Sequence, residues 1–144
     1  MKKFDKTIHN IVLAAIKRKT LKPYEFRWTN LYESNSEFPY VGMLKFSEEE
    51  LLICSTVIDE DNYSILTTRS LITSERGVRA VNDLTGVKQI NSDNFKSFGN
   101  NAFTMGVVSF LNGSQIKYFI ETGNASMVMI YGVMTLFSLQ NANK

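Results

Sequence analysis

The chain has one cysteine and one histidine in 144 residues, and each shortage closes off a class of protein. A lone Cys54 cannot form an intramolecular disulfide or a thiolate zinc cluster, and it fits a reducing compartment, so a cytoplasmic location is expected. A lone His9 cannot supply a two-histidine metal site, and the H-E-x-x-H pattern is ruled out with it. There is no G-x-S-x-G elbow, Walker loop or G-x-G-x-x-G fingerprint. Internal repeats and low-complexity segments are also missing. The longest apolar stretch, Ala125 to Leu139, is shorter than the roughly 20 residues needed to cross a bilayer. Lys2, Lys3 and Lys6 precede apolar residues spaced like a helix face rather than run together, so no signal peptide is expected. A non-enzymatic chain without cofactor or metal follows as the expectation.

What is present suits one globular domain. Hydrophobic residues make up 44% and charged residues 21%, which is ordinary for a packed core of this size. The domain is read as residues 1–144, with an N-terminal helix and extension over 1–45 and a core over 46–144. The net charge of +2 conceals a segregation. From Met1 to Arg27, eight Lys or Arg face two acids, a local balance of +6. From Glu33 to Asp61, eight acids (Glu33, Glu37, Glu48, Glu49, Glu50, Asp59, Glu60, Asp61) face Lys45 alone, a balance of −7. Either segment steers a partner of opposite sign, unless the two lie together and neutralise.

Phe4, Ile8, Ile11, Val12, Ala15 and Ile16 recur with helical spacing, predicting an amphipathic helix over 4–19 with His9 on its solvated side. Asp5 serves its N-terminal end, Lys17, Arg18 and Lys19 its C-terminal end. EFRW reads as a short strand and VGMLKF as another, with turn chemistry between them. LLICSTVI is dense in β-branched residues and reads as a strand over 51–58, against a capping-box alternative from Ser47 to Glu50. Strands over 63–67 and 71–73 follow, then a turn at Arg76 and Gly77, strands at VRAV and LTGVKQI, a turn at NSDN, and a loop over 95–101. Asn112-Gly113 between AFTMGVVSFL and SQIKYFIE is the strongest hairpin signal. From Asn124, as N-cap, a helix runs to about Gln140. It is apolar in every direction and must be buried on more than one side.

YSILTTRSLIT and VRAVNDLTGVKQI resemble the hairpin and following strands of bacterial pleckstrin-homology-like (PH-like, GRAM-like) domains, over residues 63–90. The resemblance implies an α+β, mainly β fold: a bent antiparallel sheet or open barrel of about seven strands, stoppered by the C-terminal helix. In that family the first hairpin loop grips phosphates with lysines and arginines. Here the loop is DEDN, which repels them, so lipid binding there is not expected.

Partner recognition is therefore read from charge and rings. The candidate surface comprises Glu33, Glu37, Glu48, Glu49, Glu50, Asp59, Glu60 and Asp61 with Trp28, Tyr32, Phe38 and Tyr40, facing a protein with a basic surface. For the aromatics the competing reading is that they cover the sheet. Such a binder suits an immunity protein neutralising a toxin domain. The alternative from another class is peripheral binding of anionic membrane or nucleic acid through the basic N-terminal helix. The final helix offers a surface for a homodimer. Cys54 reads as a buried strand residue.

Overall fold

A computed structural model describes residues 4–20, 26–38, 49–92 and 102–142. The chain is α+β and mainly β: helix α1 (Asp5–Lys19), strands β1 (Thr29–Leu31), β2 (Leu52–Asp59), β3 (Asn62–Thr67), β4 (Leu71–Glu75), β5 (Val78–Asn82), β6 (Val87–Ser92), β7 (Phe103–Phe110) and β8 (Gln115–Glu121), then helix α2 (Ser126–Asn141). They form two antiparallel sheets, a five-stranded one ordered β1-β2-β3-β4-β5 and a three-stranded one ordered β6-β7-β8. Among the described residues the sheets do not close into a barrel. The expectation of about seven strands misses β1, which follows EFRW instead of coinciding with it. VGMLKF and the 95–101 loop lie outside the described residues.

β2 is buried along most of its length because both faces of the larger sheet are covered. A bulge between Leu52 and Cys54 interrupts the alternation of side chains. The extra residue sends Ile53 and Cys54 toward the same main core, while Leu52 joins the outer cluster with Tyr32, Phe38, Val57, Tyr63, Ile65 and Ile72. The main core lies between the sheets and α2, and Leu66, Leu71, Val108, Tyr118, Ile120, Met129 and Leu136 fill it. Polar groups also cross it: the Phe119 amide donates to Ser64 Oγ at 2.6 Å, tying β8 to β3.

Two-residue turns behave as glycine chemistry predicts. Arg76 (φ 54°) and Gly77 (φ 82°) both take the left-handed conformation of a tight hairpin between β4 and β5. LTGVKQI was expected as one strand, but its first three residues make a turn in which Leu84 is buried, and the strand starts at Val87. Asn124 does not cap α2. A short 3₁₀ turn (Gly123–Ala125) intervenes, and Ser126 Oγ donates to the Gly123 carbonyl at 2.6 Å.

Among the described residues, side chains bridge the two seams between the sheets. The Glu121 carboxylate at the end of β8 accepts the Arg27 amide (2.9 Å), the Trp28 amide (2.8 Å) and Thr29 Oγ1 (2.8 Å), fixing the approach to β1. At the other seam Gln140 accepts the Leu84 amide at 2.6 Å and donates to the Arg69 carbonyl at 3.0 Å, while Asn141 donates to the Leu84 carbonyl at 2.9 Å.

α1 runs antiparallel to α2, with Ile16 beside Gly132 and Lys19 over the Tyr131 ring. Its buried face is Val12, Leu13, Ile16 and His9, which corrects the solvated placement of His9. His9 Nε2 donates to the Tyr32 carbonyl at 2.7 Å, so the imidazole supplies a buried donor that an aliphatic residue could not. At the start of α1, Arg69 and Thr68 hold the Asp5 carboxylate well below the usual range. A carboxylate held low contributes stability above its unfolded value, about 3.9, and loses it as pH falls through the folded value. In urea unfolding, Asp5→Asn should cost about 0.5–1 kcal/mol at pH 7, because Arg69 is half in solvent. The difference from wild type should vanish near pH 2; a constant difference across that range would show that the ion pair is not its cause.

Candidate partner-binding surface

The run of acids does not form one face. β2 is eight residues long, a span of roughly 25 Å, and the acids fall at its two ends. Near its start, Glu33 pairs with Lys17 Nζ at 2.6 Å, and that lysine draws its carboxyl below the usual range. Glu37 turns back to accept the Glu33 amide at 2.9 Å. Arg69, held first by Asp5, also lies in the field of Glu50 and Glu49. Glu50 itself is buried and accepts a hydrogen bond from Thr67 Oγ1, so it belongs to the structure and not to a contact surface. At this end basic and acidic segments meet and neutralise. Glu48 and Tyr40 lie outside the described residues.

The far end differs. Asp59, Glu60 and Asp61 form the exposed β2–β3 turn, with Asp59 Oδ1 accepting the Asp61 amide at 2.8 Å. That amide, followed by the Asn62 side chain, pulls the Asp59 carboxyl below the ordinary range, so it stays charged in mild acid. The β4–β5 turn is locked against it: the Gly77 amide donates to the Asp61 carbonyl at 3.0 Å, the Arg76 amide to Asn62 Oδ1 at 2.9 Å. Glu75 is exposed beside them. The Lys17–Glu33 and Asp5–Arg69 ion pairs both lie at the other end.

The predicted aromatics divide. Tyr32 and Phe38 are buried edge to face (5.7 Å between ring centres), covering the outer side of the larger sheet, and cannot rim an interface. Trp28 is half-buried, with Arg27 stacked 4.4 Å from its ring centre and Phe103 packed edge-on at 5.9 Å. Sequence reasoning missed Val78 (77% exposed) and Val81 (53% exposed) on β5, the last strand of its sheet. Val78 pairs with Glu75, which places exposed apolar surface beside the acidic turns. The missed signal is positional: VRAV reads as core until β5 is seen to be an edge.

Other chemistry is structural. A cleft of about 240 Å³ beside α1 is lined by Lys17, Phe26, Thr29, Asn30, Leu31 and Glu33, with the lysine and glutamate paired to each other. Cys54 is buried against Met129 Sδ at 3.7 Å, and burial pushes its thiol far above the ordinary range. Among the described residues no three His, Cys, Asp or Glu side chains converge as a metal site requires. None of the described helices is long and apolar enough to cross a membrane. Compared with protein families, curated proteins and solved structures, the chain matches none.

Proposed function

We propose that the chain is a non-enzymatic protein-binding module of the bacterial cytoplasm, on a PH-like scaffold, that recognises a basic partner at the corner where the β2–β3 and β4–β5 turns lock together. The carrying observation is exposed Val78, paired with Glu75 beside the acidic turn of Asp59, Glu60 and Asp61. Apolar contact supplies affinity, and the four acids, which outnumber the exposed Arg76 and Arg79 beside them, supply steering and register. The order of elements, with a terminal apolar helix packed on both sheets, supports the scaffold reading. A small binder of this kind suits an immunity protein that blocks a toxin domain by covering its basic surface.

The test is co-expression with the products of neighbouring genes and co-purification at low and high salt. A stoichiometric basic partner is expected, with its association slowed about tenfold or more in the D59N/E60Q/D61N variant. Recovery of no stoichiometric protein, or unchanged association of the neutralised variant, sinks the proposal.

A further inference from the structure

The apolar stripe of α1 and its buried face do not coincide. The stripe is Phe4, Ile8, Ile11, Val12, Ala15 and Ile16, yet the helix buries Val12, Leu13, Ile16 and His9. His9 is drawn inward by the Tyr32 carbonyl, and the helix turns so that Phe4 is 80% exposed while Ile8, Ile11 and Ala15 are half-buried. α2 has a matching surplus. It carries no charged residue over its 16 positions, and the arc turned from the core holds Met127 and Met134, the latter 47% exposed. The two helices lie antiparallel, so the half-exposed apolar positions of both share one layer.

The charge on that layer has one sign. Arg18 and Lys19 are exposed at the end of α1, and Lys19 sits over Tyr131 of α2 at 5.7 Å. The single acid of the two helices, Asp5, is already paired with Arg69. The exposed acids Asp59, Glu60 and Asp61 lie at the far turn of β2.

We infer that the α1–α2 layer docks reversibly on an anionic bilayer surface, with Phe4 and Met134 entering the headgroup–acyl boundary and Arg18 and Lys19 meeting lipid phosphates. Shallow apolar insertion and cationic attraction are each weak alone, and stable peripheral binding needs both. Nucleic acid would use the cations, and could stack on Phe4, but has no use for exposed Met134. The site is separate from the DEDN hairpin loop and does not depend on the protein-binding corner.

The experiment is sedimentation of the full chain with vesicles of phosphatidylcholine alone and of phosphatidylcholine with 30% phosphatidylserine. Partitioning should be at least about tenfold higher on the anionic vesicles and should fall steeply with salt. R18Q/K19Q should weaken it about 25-fold, at about fivefold per cation. Met134→Glu, at a position open enough to keep the fold, should weaken it at least tenfold while leaving the unfolding midpoint unchanged. Equal partitioning on both vesicles overturns the inference. So does full binding by M134E, or binding to a duplex oligonucleotide that M134E leaves intact while vesicles are ignored.

Discussion

Gly106→Val is expected to lower the unfolding free energy by about 3 kcal/mol, at the upper end of what overpacking a core costs. Gly106 stands directly opposite Tyr118 in the β7–β8 ladder, and the ring lies across it. A Cβ at Gly106 would sit 2.3 Å from Tyr118 Cζ and 2.7 Å from its hydroxyl oxygen. The phenol is buried and packed in the main core, so it cannot swing aside without vacating that space. The absence of a side chain at one position is what admits the ring at the other, an arrangement that also covers the otherwise bare strand. Urea unfolding checks the loss, and G106V/Y118L should recover part of it. A midpoint unchanged by G106V alone would mean that the ring does not rest there.

Leu66→Ala should cost a similar amount, about 3 kcal/mol, by a cavity instead of a clash. Leu66 is fully buried, and Cδ2 lies 2.9 Å from where a Cβ on Gly132 would stand, with Ile16 Cδ1 at 3.2 Å and Cys54 Sγ at 3.3 Å. One side chain therefore fills the point where α1, α2 and the larger sheet converge, and none of them can collapse inward alone. G132A should be destabilising by itself and less so when combined with L66A, because its methyl enters the space that leucine leaves. A double-mutant cycle measures that coupling, and strict additivity would contradict the packing described.

The strands over 62–82 and 103–121 were legible because local signals agree there: β-branched runs, tight polar turns, and a glycine where positive φ is required. The extent of burial along LLICSTVI was not, since it depends on Tyr32 and Phe38 arriving from distant sequence to cover the outer face. His9 was misread for a related reason. Periodicity ranks residues by hydrophobicity, whereas the Tyr32 carbonyl selects a donor. The acidic run looked like one surface because proximity in sequence was taken for proximity in space. β2 separates its members by its own length, and Glu50 is drawn inside by Thr67. β1 was displaced because nothing local in Thr29–Leu31 marks a strand, and its pairing with β2 supplies the conformation.

Among the described residues, amide and carboxylate groups bridge both margins between the sheets. α2 begins just beyond Glu121 and ends on Gln140 and Asn141, so it spans both margins like a strut. Any force that draws this helix outward loosens the two sheets together, which makes its seating the setting screw for the width of the whole fold.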